Sequence, residues 1–163
     1  MTKEDLLVLI STPIYIIVIG LEMILSASEG RRFYTLKDTI TNLYLMVLNL
    51  SLETATRFIS FAGLFYFLRL YQFEIHPRWL YWIVLILGVD FCYYWLHRLS
   101  HEVRLFWAVH VTHHSSDQFN LTVGFRSSVF ESLYRFNFYI PLALLGYNPF
   151  DIYFIHSLLQ IRL

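Results

Sequence analysis

Apolar residues run almost unbroken from Leu6 to Ala27, interrupted by Ser11, Thr12, Pro13 and Glu22. At ~1.5 Å per residue such a run crosses the ~30 Å hydrocarbon core of a bilayer. The residues before it, Lys3-Glu4-Asp5, lack the basic start of a cleaved leader, so the run reads as a span. A lipid-facing carboxylate is costly, so Glu22 is expected to face other helices or to lie near the helix end. Glu29 to Asp38 is a polar break carrying Arg31, Arg32 and Lys37. Thr39 to Tyr71 is long, and predicts an interfacial helix followed by a span. Inside it Glu53 and Arg57 stand at i, i+4, the spacing of a mutually neutralising helical pair. Gln72 to Arg78 is a short polar connection, and Trp79 to about His101 is the next span, turning polar in its second half. Val103 to Arg126 is mixed. Phe130 to Gly146 is apolar and reads as helical or interfacial. Tyr147-Asn148-Pro149 makes a turn, after which Phe150 to Leu163 begins another apolar segment. The pattern predicts one all-α domain over 1–163, a polytopic membrane helical bundle.

Composition supports a lipid environment. Hydrophobic residues make up 57% and charged residues 15%, against about 25% charged in a soluble domain. Aromatics at 19% suit rings at the headgroup level. The formal net charge of +0 gives no sign of a nucleic-acid partner, and the single cysteine, Cys92, excludes an internal disulfide framework. Basic residues favour the cytoplasmic face. Arg31, Arg32 and Lys37 then put the first polar loop inside, and a third span returns Arg98, Arg104 and Arg126 to the same side, with the N-terminus outside.

The chemistry lies in the histidines. His97 and His101 form H-x-x-x-H, and i, i+4 share one helical face. Two imidazoles so placed can reach one metal ion. Asp90 and Tyr94 fall on the same stripe. Asp90 lies two turns away, roughly 10 Å along the axis, and so suits orienting a histidine better than ligating. His110, His113 and His114 form H-x-x-H-H, again one face. Five histidines in these two spacings, beside the end of a span, predict a metal site. A zinc-protease reading fails because Arg98 stands where H-E-x-x-H needs glutamate. Imidazole suits zinc, copper and iron alike. A carboxylate-poor, histidine-rich site in a membrane suggests iron used with dioxygen.

The stretch Asp90-Phe-Cys-Tyr-Tyr-Trp-Leu-His97-Arg-Leu-Ser-His101, then Phe106-Trp107, His110-Val-Thr-His113-His114-Ser115-Ser116, Asn120-Leu-Thr and Phe125-Arg126, resembles the fatty acid hydroxylase/sterol desaturase superfamily. It is most similar to the alkylglycerol monooxygenase-like and bacterial sterol desaturase-like members. The likeness is dense from about Asp90 to Arg126. It implies a membrane-bound non-haem di-iron oxygenase that hydroxylates or desaturates a lipid (fatty acyl, sterol or alkylglycerol). Such an enzyme uses dioxygen and electrons from a cytochrome or a ferredoxin/reductase. The implied ligands are His97, His101, His110, His113 and His114, with no catalytic residue beyond them and zinc a candidate substitute in purified material. Arg126 would meet a lipid headgroup or acidic partner, or else serve as a positive-inside anchor. Asn120 would support the ligands or cap a helix.

One departure stands against this likeness. Family members carry a third H-x-x-H-H box further on, and beyond His114 this sequence has only His156, read as a non-ligand. The sequence is therefore expected to be a fragment, or a naturally short paralogue, with an incomplete site. The rival readings are a histidine-rich metal-binding or transport protein and a non-catalytic membrane interaction module. Transport predicts polar ligands spread along a span, whereas these cluster at one end.

Overall fold

The computed structural model describes residues 3–31, 33–70 and 76–160, with the side chains of 3–5, 57 and 68–70 outside that description. Among the described residues every regular element is helical. The elements are α1 (Lys3–Ser28), α2 (Leu36–Leu70), α3 (Arg78–Glu102), α4 (Arg104–His110), three 3₁₀ turns (Leu121–Phe125, Val129–Leu133, Arg135–Tyr139), α5 (Ile140–Leu144) and α6 (Pro149–Leu159).

Among the described residues two helices are long and apolar enough to cross a membrane, Leu6–Ser28 within α1 and Arg78–Glu102, which is α3. Helix α1 is apolar on every side and yet lies outside the core: Ile16 is 68% exposed and Ile24 66%. A helix hydrophobic all round needs an apolar surrounding, and here the protein does not supply it. Glu22 does face protein, as expected. It accepts hydrogen bonds from the Tyr34 hydroxyl and, at 2.9 Å, from the backbone N–H of Leu121.

Helix α2 departs from the expected interfacial helix followed by a span. It is one continuous helix of 35 residues, about 52 Å long. Its uniformly apolar stretch is only Phe58–Phe67, short for a span. The expected Glu53–Arg57 pair lies outside the described residues because of Arg57. Glu53 itself accepts from the Tyr153 hydroxyl and lies 3.6 Å from Arg135. Residues 71–75 of the expected polar connection also lie outside the description, as do 161–163 of the last apolar segment.

Both α1 and α5 end on a glycine with positive φ, Gly30 at +67° and Gly146 at +91°. In each, crossed hydrogen bonds close the end: Gly30 N–H to Ala27 and Arg31 N–H to Ser26 at 3.2 and 2.9 Å, Gly146 N–H to Ala143 and Tyr147 N–H to Leu142 at 3.0 and 3.1 Å. A side chain at either position would strain this backbone. The reversal at Gly30 brings the start of α2 beside the histidine segment. Asn120 Nδ2 donates to the Phe33 carbonyl at 2.7 Å, and Arg126 Nη1 donates to Asp38 at 2.9 Å. The polar loop after α1 and the segment 110–126 therefore share one end of the molecule.

The core joins α2, α3, α5 and α6. Leu64 packs with Leu85 and Val89, with Leu142 and Ala143, and with Ile152 and Ile155, and Phe136 and Tyr139 fill between them. At the end remote from the histidines Tyr81 donates to Asp151 at 3.0 Å and accepts from Asn148 N–H at 3.2 Å. This core holds the C-terminal half of α3 in place, and with it the first histidine pair.

Candidate metal centre

Helix α3 carries His97 and His101 one turn apart, and their Nε2 atoms stand 3.3 Å from each other. Val103 then breaks the helix in an extended conformation, φ −98° and ψ 120°. The backbone bonds Val103 N–H to Leu99 at 2.9 Å and Trp107 N–H to Val103 at 2.8 Å carry the chain round the corner into α4. A β-branched valine is the only local sign of this break. It folds α4 back so that His110 meets the first pair, with ring centroids 4.8 Å from His97 and 4.9 Å from His101.

The second histidine group differs from the single helical face expected of it. Helix α4 ends at His110, and residues 111–114 form tight turns instead, with His113 N–H bonded to His110 at 2.9 Å and His114 N–H to Val111 at 3.1 Å. The turns still gather the rings. His110 lies 5.6 Å from His113 and 5.1 Å from His114, and His114 lies 4.9 Å from His101. Trp107 stands against His101 and His114 at 5.5 and 5.8 Å. Burial lowers the pKa of His114, helped by the neighbouring His113, His110 and His101, which favours the neutral form that a metal requires.

The cluster fits a transition metal. Nitrogens of His97, His101 and His110 all lie within 4.8 Å of one another. With metal–nitrogen bonds of about 2.0–2.1 Å, two ligands at a tetrahedral angle stand about 3.3 Å apart, the separation seen between His97 and His101. His110 is 5% exposed, and neither of its ring nitrogens has a hydrogen-bond partner among the described residues. Leaving such a group unsatisfied costs about 1–3 kcal/mol, which metal binding would offset. His113 is oriented by its other nitrogen: Nδ1 donates to the Arg126 carbonyl at 2.9 Å, leaving Nε2 for a ligand.

A cavity of about 430 Å³ opens beside His97, His110 and His113, within the range of small-molecule sites. Glu131, Arg135 and His156 also line it. Burial alone would raise the Glu131 carboxyl, but His110 and Arg135 hold it down, to about 2. His156 is buried with its Nδ1 2.8 Å from the Tyr139 hydroxyl. Burial, with Arg135 close by, lowers its pKa to about 3.

The four candidate supporting residues divide. Tyr94 does not reach the histidines. Its hydroxyl accepts from Arg98 at 3.0 Å, and Arg98 continues to Glu102 at 2.8 Å, an outer ladder of i, i+4 contacts. Tyr93, which the stripe omitted, stacks on His97 with centroids 6.1 Å apart. Asp90 is outside both the clustered nitrogens and the cavity wall. Asn120 is a cap: its Oδ1 accepts from Thr122 N–H at 3.0 Å at the start of the Leu121–Phe125 turn. Arg126 has an acidic partner within the chain. Its side chain is 11% exposed and pairs with Asp38 at 2.9 Å, its Nη1 also donates to Asn42 at 3.1 Å, and its Nε donates to the Thr112 carbonyl at 3.2 Å. Sequence reading also passed over Glu131 and Arg135, although their i, i+4 spacing was visible.

Residues 82–162 match the fatty acid hydroxylase family. The chain is 36% identical over 136 residues to an alkylglycerol monooxygenase of Xenopus tropicalis, covering 82% of this chain and 30% of that protein. It is 36% identical over 150 residues to the Homo sapiens alkylglycerol monooxygenase, covering 90% and 33%. With that of Danio rerio it shares 34% over 140 residues, covering 83% and 31%. The chain spans about a third of the length of these curated relatives. No solved structure matches it.

Proposed function

The chain belongs to the fatty acid hydroxylase superfamily, and on that premise we propose that it forms the metal-holding part of a membrane-bound non-haem di-iron oxygenase. The substrate is a lipid, hydroxylated or desaturated with dioxygen and electrons from a cytochrome or ferredoxin/reductase. Alkylglycerol is the first lipid to test, since the relatives named above are alkylglycerol monooxygenases. The observation that carries the reading is His110, buried beside His97 and His101 and without a hydrogen-bond partner among the described residues.

His97, His101, His110, His113 and His114 are the ligands in this reading. Bound iron supplies the activation of dioxygen that oxidation of a C–H bond requires. The chain's own residues do the rest. The Arg126 carbonyl fixes the His113 ring, and Trp107 packs over His101 and His114. Met46, Leu50 and Phe125 give the cavity an apolar wall against which an alkyl chain can lie. Helices α1 and α3 cross the membrane, and α2 carries the chain back between the end of α1 and the start of α3. The histidine end faces the cytoplasm, because Arg31 and Lys37 gather at that end with Arg98 and Arg104.

Purified chain in detergent, analysed for metal and then supplied with reductant, dioxygen and an alkylglycerol, tests the reading. Bound iron and an oxidised lipid are expected. A preparation that binds no iron, or that carries metal across vesicles without oxidising lipid, favours the metal-transport alternative instead.

A further inference from the structure

Behind His110 the cavity wall carries a buried Glu–Arg–Glu triad that the proposed ligand set leaves without a role. Arg135 Nη2 lies 3.2 Å from Glu131 Oε1, its Nη1 lies 3.6 Å from Glu53 Oε2, and its Nε donates to Glu131 Oε1 at 3.3 Å. The Arg135 and Glu131 side chains are 11% and 13% exposed. Arg135 thus grips one oxygen of Glu131. The other oxygen, Oε2, receives only a long 3.5 Å contact from Ser127 and lies 3.9 Å from Nδ1 of His110. That Nδ1 is buried and has no hydrogen-bond partner among the described residues.

An unpartnered ring nitrogen and a weakly held carboxylate oxygen therefore face each other across less than 4 Å. A purely structural ion pair would be expected to spend both carboxylate oxygens on the arginine or on other donors. Here the cation sits on the far oxygen and the near one is turned to the imidazole. A small side-chain rotation closes 3.9 Å to a hydrogen bond. The Nδ1–H of His110 would then donate to Glu131. That fixes the tautomer, aims the Nε2 lone pair at His97 and His101, and makes it a stronger donor to a metal.

We propose that Glu131, steered by Arg135, is a positioning residue for the metal centre, acting through His110. The inference rests on the metal-centre reading above. Titration of the full chain in detergent with Co(II), read by its ligand-field absorption bands, separates the two. Glu131→Gln keeps the shape and the Arg135 contact but removes the charge that draws the His110 proton. It should weaken Co(II) binding roughly 10–100-fold and shift the bands, with helix content unchanged. In a His110→Ala background the same substitution should add nothing. Unchanged affinity in Glu131→Gln overturns the proposal, and so does an equal further loss in the His110→Ala background, because Glu131 would then act independently of that ring. Should Glu131→Gln fail to fold, Glu131→Asp withdraws the charge by one methylene, out of reach of Nδ1. It should also weaken binding, and wild-type affinity in that variant overturns the proposal equally. If the unaltered chain binds no Co(II), the metal-centre reading falls and takes this inference with it.

Discussion

His113 and Arg126 are joined through the ring of one and the backbone of the other: the His113 Nδ1–H donates to the Arg126 carbonyl at 2.9 Å. The Arg126 side chain meanwhile reaches to Asp38 on α2. One residue thus fixes the His113 imidazole with its main chain and ties that main chain to a neighbouring helix with its guanidinium. Asp38 is held from a second direction by Ser116, whose hydroxyl donates to it at 2.8 Å.

Breaking this tie should loosen both the fold and the centre. Arg126→Gln leaves the part-buried Asp38 without its cation but with the Ser116 and Asn42 donors, so the loss should fall below the ~3–5 kcal/mol that breaking a fully buried pair costs. The thermal midpoint in detergent should fall, and metal affinity with it, because the carbonyl that orients His113 is no longer anchored. A variant with wild-type stability would show that Asp38 is adequately held by Ser116 and Asn42 alone.

The two histidine groups should depend on each other. His97→Ala and His113→Ala should each lower bound iron by about tenfold or more, at least the loss that removing a supporting residue causes. They lie on different elements, α3 and the turn after α4, so a large effect from both is what one shared centre requires. Full iron content in either variant, in a well-folded membrane preparation, contradicts a shared centre.

The sequence revealed the helices that need no partner to be recognised. Helices α1 and α3 are long apolar runs, and the spacing of His97 and His101 is a local property of one helix. What escaped it depends on distant contacts. The sequence pairs Glu53 with its helical neighbour Arg57 and gives no sign that Tyr153, a hundred residues along the chain, donates to it. Tyr93 and Tyr94 are adjacent, and the stripe favoured Tyr94. Helical register decides between them: Tyr93 stands four residues before His97 and stacks on it, whereas Tyr94 stands four before Arg98 and accepts from it. Arg126 read as a surface charge because Asp38 is remote in sequence.

Acid should destabilise the fold through His156. Its folded pKa of about 3 lies below the unfolded value of about 6.5. Above pH 6.5 the ring is neutral in both states and contributes no pH dependence. Between 6.5 and 3 the unfolded chain takes up a proton that the folded chain refuses, so stability falls as pH falls. From pH 7 to 5 the loss is about 2 kcal/mol. The measurement is a difference: thermal midpoints across this range for the chain and for His156→Gln. The substituted chain should show the shallower decline, and identical slopes would place the acid sensitivity elsewhere.

The last prediction concerns which side of the membrane the histidines face. Hydrogen bonds from Asn120 to Phe33 and from Arg126 to Asp38 put the histidine segment at the same end as the loop after α1. A positive-inside count over that end is therefore one count, not two. Arg31, Lys37, Arg98, Arg104 and Arg126 all enter it, because acidic partners carry little weight in the rule, and they favour the cytoplasm. Ser116 is a poor place for a label because Asp38 holds its hydroxyl. Its neighbour Asp117 is exposed, and Asp117→Cys in a Cys92→Ala chain gives a single accessible thiol. In intact cells a reagent that cannot cross the membrane should leave it unlabelled, and permeabilisation should expose it. Ready labelling before permeabilisation would invert the topology. It would also move the loop after α1 to the outer face along with the histidines, because the hydrogen bonds between them allow no arrangement in which the two ends part.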